Sequence, residues 1–136
     1  MKPLLCLDLE GTLISNAVSQ IPRPKLHAFL EEVHDLCDLV IYTSVSEERT
    51  RAIQKLLVSE GKVPAWFQNL DVIRPTETLK PKSATGRDDA YLLDDQPDVV
   101  VPGEEAWWIA IDEYLPPYSD DDQALDDALD KIRTLV

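Results

Sequence analysis

Short apolar runs that stop on reactive polar residues constrain this chain more than any other feature. Pro3–Leu9 is a buried-strand pattern carrying Asp8 near its end, with Glu10, Gly11 and Thr12 directly after it. Leu39–Thr43 (LVIYT) is a second such run and ends on Thr43 and Ser44. Continuous apolar runs of this length read as strands covered on both faces, which are the strands of parallel sheets. Between them Leu26, Phe29, Leu30, Val33 and Cys37 recur at three- and four-residue spacing. That spacing predicts a helix over Lys25–Asp35, with Pro24 suited to its first turn. The opening third is therefore a βαβ unit.

The pattern continues in the same sense. Ser44 and Glu47 have the spacing of a capping box, and Ile53, Leu56 and Leu57 form the buried stripe of a second helix that Gly61 ends. Asp71–Ile73 predicts a weak third strand and Ala90–Leu93 a fourth that runs into Asp94-Asp95. Trp107–Ile111 (WWIAI) predicts a fifth strand near a sheet edge, and Leu125, Ala128, Leu129 and Ile132 a last helix. Asp120, Asp121 and Asp122 precede that helix, where negative charge suits its dipole. Alternating elements of this kind predict an open, mostly parallel α/β sheet of five strands. At 136 residues the chain suits one domain spanning 1–136. Gly11–Arg23 and Glu60–Leu79 are too short to hold a cap domain.

In parallel sheets the site lies beyond the carboxyl ends of the strands, where residues distant in sequence converge. Asp8 and Glu10, Thr43 and Ser44, Lys80 before the fourth strand, and Asp94 and Asp95 after it are the loaded ends. Clustered carboxylates repel when ionised, so a lysine and a hard divalent cation are needed to keep one of them charged. Asp8 with Asp94 or Asp95 can supply oxygen ligands to Mg²⁺. Thr43 and the Gly11 and Thr12 backbone N–H groups are placed to bind a transferred phosphoryl group. Lys82 competes with Lys80 for the lysine role.

Charge narrows the partners. The net charge is −13, with eight basic against three acidic residues in 49–87 and two against fifteen in 88–136. Such a chain repels nucleic-acid backbones, so non-specific nucleic-acid binding is not expected, while the basic middle segment suits a phosphorylated substrate. Asp8 interrupts the N-terminal apolar run too early for a membrane span, and a cytoplasmic protein is expected. Cys6 and Cys37 lack metal or redox spacing and read as buried small hydrophobes. His27 and His34, seven apart on the polar face of the first helix, receive no role.

DLEGTL, VIYTS, a Lys-Pro and LLDD, in that order, resemble the motifs of the haloacid dehalogenase superfamily. Within it, PRPKLHAFLEEVHDLCDLVIYTSVSEE, GRDDAYLLDDQPDVV and WWIAIDEYLPPYSDDDQALDDAL look like the NLI-interacting-factor-like, or polymerase C-terminal-domain, phosphatases. The resemblance spans nearly the whole chain. It implies a three-layer α/β/α Rossmann-like domain without a cap, and a Mg²⁺-dependent phosphomonoester hydrolase working through an aspartyl-phosphate on Asp8. It implies Glu10 as general acid/base that also offers its backbone carbonyl to the metal. Asp94 and Asp95 complete the metal site directly or through water, and Thr43 and Lys80 bind phosphate. Spacing from Gly86-Arg87-Asp88 favours Lys80 over Lys82.

Two positions depart from that pattern. Glu10 stands where the family has Asp, as in the DxEGT of the enolase-phosphatases, and Pro81 follows Lys80 where the polymerase-tail group has Asp. An uncapped site implies a macromolecular substrate, a phosphoprotein or a nucleic-acid end. The alternatives are a small-molecule phosphatase or a catalytically silent binding module on the same fold. A two-component receiver domain is disfavoured, because its acidic pair precedes its lysine in sequence.

Overall fold

The computed structural model describes residues Met1–Val136. Its strands are β1 (Leu4–Leu7), β2 (Asp38–Tyr42), β3 (Val72–Ile73), β4 (Ala90–Asp94) and β5 (Trp108–Ala110). Its helices are α1 (Leu26–Leu36), α2 (Glu47–Ser59) and α3 (Ala124–Leu135). All neighbouring strands pair in parallel, in the order β3-β2-β1-β4-β5. The chain winds outward from β1 to β3, then returns to build β4 and β5 on the other side. The direction of winding therefore reverses between β1 and β4, where an open α/β sheet leaves a crevice at its carboxyl edge.

Strand side chains alternate between two unequal layers. Leu5, Leu7, Leu39, Ile41 and Leu93 join the main core with the α1 stripe (Leu26, Phe29, Leu30, Val33), Ile53 and Leu57 of α2, and Leu125, Leu129 and Ile132 of α3. The opposite side holds only Leu4, Cys6, Tyr42 and Ala90, flanked by Val40, Ile73 and Leu92. There β4 is backed by the 3-10 turns Lys82–Thr85 and Glu105–Trp107. The α/β class, the five parallel strands and the lack of a cap are as expected. The second outer layer, however, is made of short 3-10 turns and loops, because 74–89 and 95–107 contain no apolar stripe long enough for a helix. Trp107 closes this layer, stacked under the Lys82 ammonium at 3.6 Å and tilted against Tyr91. Lys82 is thereby held away from the strand ends that carry the acids.

Helix starts differ from the expected ones in instructive ways. Pro24 lies before α1 rather than in its first turn, because Lys25 takes a left-handed conformation (φ 70°) at the N-cap. Ser46, not Ser44, caps α2, its Oγ accepting the Arg49 N–H at 3.2 Å. The Thr43 Oγ1 accepts the Val45 N–H at 3.2 Å, and the chain bends at Ser44 and Val45 before the helix begins. Gly61 (φ 70°) ends α2 as expected, with Lys62 N–H donating back to the Leu57 carbonyl at 2.9 Å. Both cysteines are buried free thiols, and burial pushes Cys6 up to about 12.

Leu30 is fully buried between sheet and helices. Leu30→Ala should lower unfolding free energy by about 3 kcal/mol, because the cavity it leaves cannot collapse against a sheet. Urea unfolding followed by circular dichroism checks this.

Candidate active site

The crevice between β1 and β4 gathers a buried ionic cluster. Asp8, one residue past β1, and Asp94, the last residue of β4, face one ammonium: Lys80 Nζ donates to Asp8 Oδ1 at 2.9 Å and to Asp94 Oδ2 at 2.6 Å. All three are buried. The parallel register that pairs Leu7 with Leu93 sets the two acids side by side, and the Asp8 N–H donates to the Leu93 carbonyl at 3.1 Å. Lys80 is brought in by its own backbone, whose N–H donates to the Val99 carbonyl at 2.8 Å, and by Pro81, whose carbonyl accepts the Tyr42 hydroxyl.

The remaining carboxylate oxygens are also held. The Thr12 hydroxyl lies 2.8 Å from Asp8 Oδ2 and 3.1 Å from Asp95 Oδ1. Gln96 donates its backbone N–H to Asp94 Oδ1 at 2.9 Å and its amide Nε2 to Asp95 Oδ2 at 2.7 Å. Ligand oxygens of Asp8, Asp94 and Asp95 lie within 4.8 Å of one another. Burial pushes the Asp8 and Asp94 carboxyls above the ordinary range, against the opposing pull of Lys80. Burial also acts against the Lys80 charge, but the two carboxylates outweigh it and raise its pKa. One ammonium against three carboxylates leaves a deficit of positive charge in the crevice. An all-oxygen set with that deficit fits a hard divalent cation such as Mg²⁺.

Gly11 is the one position where only glycine fits. Its φ is 75°, and a Cβ there would come within 2.6 Å of Asp95 Oδ2. Its N–H is committed to the Ile14 carbonyl at 2.8 Å, so of the two N–H groups expected to cradle phosphate only that of Thr12 lacks a backbone acceptor. The Leu9 and Glu10 N–H groups, one and two residues after Asp8, are also without one. Thr43 is buried at the end of β2, and its hydroxyl proton has no protein acceptor. Ser44 is exposed at the rim. Glu10 is half-buried, its Oε2 accepting the Ala17 N–H at 2.6 Å. Asp8, Glu10, Gly11, Thr43, Ser44, Lys80, Asp94 and Asp95 line an open, mostly polar cavity of about 770 Å³, with Pro75 and Val99 among its few apolar residues.

Sequence reasoning passed over Arg23, the largest fully buried side chain. Its Nη1 donates to the Gly11 and Thr12 carbonyls at 3.2 and 3.3 Å, while Nε and Nη2 form a bidentate pair with Asp122 at 2.9 and 3.1 Å. Arg23 thus ties the turn after Asp8 to the segment before α3, and Asp122 additionally accepts the Ala124 N–H at 3.1 Å. The one signal in the sequence is an arginine set between Pro22 and Pro24, a rigid frame for a fixed side chain.

An uncapped parallel α/β sheet with carboxylates from β1 and β4, a lysine between them and a threonine ending β2 defines a haloacid-dehalogenase-like domain. The chain belongs to the NLI interacting factor-like phosphatase family, whose model matches residues 3–136. Among solved structures it is similar to the fission yeast RNA polymerase II CTD phosphatase Fcp1, determined as a point variant bound to beryllium fluoride. The TM-score is 0.61 at 16% identity, over 98% of this chain and 50% of that one, so this chain spans half the length of that structure. No curated protein matches the sequence significantly. No helix is long and apolar enough to cross a membrane.

Burial works to raise the Asp122 carboxyl, but the Arg23 guanidinium and the Ala124 N–H outweigh it and hold it below the usual 3.8. The unfolded chain therefore takes up this proton at higher pH than the folded one. The stabilisation is full above the unfolded value and is lost as pH falls through the folded one. Asp122→Asn should cost about 2 kcal/mol at pH 7. The deficit should shrink progressively as pH falls below 3.8, read as the difference in urea midpoints at neutral and at acid pH.

Proposed function

We propose that residues 1–136 form one phosphatase domain that hydrolyses phosphomonoesters through an aspartyl-phosphate on Asp8. The observation that carries this reading is the seat of Asp8: a buried carboxylate at the sheet crevice, flanked by Lys80 and Thr12, with Asp94 and Asp95 beside it. Asp94, Asp95, Asp8 and the Glu10 carbonyl would hold Mg²⁺, which would offset the carboxylate charge and favour approach of a phosphate dianion.

A carboxylate oxygen of Asp8 attacks phosphorus, and the bond from phosphorus to the leaving oxygen breaks as Glu10 delivers a proton to that oxygen. Glu10, now ionised, takes a proton from water as the water oxygen attacks phosphorus. The bond between phosphorus and Asp8 breaks, phosphate leaves, and both acids return to their starting states. Lys80, the Thr43 hydroxyl and the unpaired N–H groups of Leu9 and Glu10 stabilise the equatorial oxygens.

Two features support a phosphoprotein substrate over a small metabolite: the open, uncapped crevice and the likeness to an RNA polymerase II CTD phosphatase.

Hydrolysis of p-nitrophenyl phosphate should require Mg²⁺, stop with EDTA, and fall by about a thousandfold in Asp8→Asn. Beryllium fluoride with Mg²⁺ should inhibit by occupying Asp8. A panel of phosphopeptides, nucleotide ends and sugar phosphates should show highest kcat/KM on the peptides. No turnover of any ester would sink the reading and leave a binding module on this fold.

A further inference from the structure

We infer that Arg49 is a positioning residue for Glu10, acting through the backbone of Ala17. The inference rests on the proposed role of Glu10 as the proton-transferring acid.

The backbone of Ala17 is gripped on both sides of its Cα. Its N–H donates to Glu10 Oε2 at 2.6 Å. Its carbonyl accepts Arg49 Nη2 at 2.7 Å and Nε at 3.2 Å, with Gln20 Nε2 at 3.0 Å. Arg49 stands in the first turn of α2, and its two bonded N–H groups go to this neutral carbonyl rather than to a carboxylate.

The loop carrying Ala17 closes on itself. Asn16 Oδ1 accepts the Val18 and Ser19 N–H groups, and Ser15 Oγ accepts the Ile21 N–H. Leu13 and Ile14 root the loop in the main core, against which Ala17 also packs, and the Arg49 fork adds a tie from the Ala17 carbonyl to α2.

The consequence falls on Glu10. Its extra methylene lets the carboxylate reach the Ala17 N–H, which a shorter acid at the same Cα would not do without moving the loop. With Oε2 held, Oε1 is the oxygen left to carry the proton, so the geometry of proton transfer depends on where Ala17 stands. Arg49 is exposed, and its truncation leaves the core intact.

General-acid assistance matters most when the leaving group is a poor one, and kcat/KM reports the steps up to its departure. Arg49→Ala should lower kcat/KM on a serine-type alkyl phosphate by about tenfold, and by about fivefold more than on p-nitrophenyl phosphate. Arg49→Lys should restore part of the alkyl activity. In a Glu10→Gln background Arg49→Ala should cause no further loss. A second readout needs no turnover: the Ala17 amide proton should resonate far downfield in the unaltered protein and move upfield in both Arg49→Ala and Glu10→Gln. An equal loss on both esters, or an Ala17 amide that Arg49→Ala leaves in place, overturns the inference. If the unaltered protein hydrolyses neither ester, the phosphatase reading fails separately, and the Ala17 amide alone decides whether Arg49 positions Glu10.

Discussion

The ammonium of Lys80 between Asp8 and Asp94 is the contact on which the crevice depends. Two buried carboxylates on adjacent parallel strands would repel each other in a low-dielectric setting, and removing one partner of such a cluster leaves an uncompensated charge. The sheet can bring β1 and β4 together in this register only because a lysine arrives between their ends. Its arrival is arranged by the layer that lacks helices: Val99 takes the Lys80 N–H, Tyr42 takes the Pro81 carbonyl, and Trp107 captures Lys82 so that only one of the two lysines reaches the acids. The thin second layer is thus the part of the fold that places the cation.

The strands were legible because each is a short apolar run bounded by polar residues, and the parallel sheet follows from their alternation with helices. The thinness of the second layer was harder to read. Segments 74–89 and 95–107 are rich in Pro and charge, and nothing in their pattern says which face of the sheet they cross. The start of α2 was misplaced because two serines two residues apart both precede a glutamate, and the bend at Ser44 and Val45, where the Thr43 Oγ1 accepts the Val45 N–H, delays the helix to Ser46. Local propensity cannot resolve a cap decided by a neighbouring side chain.

Which acids would meet was readable from their positions at strand ends, but their supports were not. Arg23 and Asp122 are 99 residues apart, and neither belongs to a spacing that a motif would mark. Gln96 and Arg49 act through backbone groups, which any sequence supplies. The Gly11 requirement is visible only once Asp95 is seen to occupy the space a Cβ would need. Supporting residues of this kind are a property of the folded surface and leave little trace in composition or periodicity.

Glu10 shows how a departure in sequence becomes a structural demand. A longer acid has one more rotatable bond, so its carboxyl is less well fixed by the strand that carries it and loses more entropy when held. The fold answers by giving one carboxyl oxygen a short hydrogen bond from a loop that is itself anchored to α2. An aspartate at this position has one fewer rotatable bond and so less freedom for an anchor to remove. The glutamate and the loop that receives it therefore form one unit: the side chain gains a defined direction, and the loop gains a contact to the sheet. An extra methylene that would loosen proton transfer in isolation is compatible with a defined geometry here because Ala17 removes the freedom it adds.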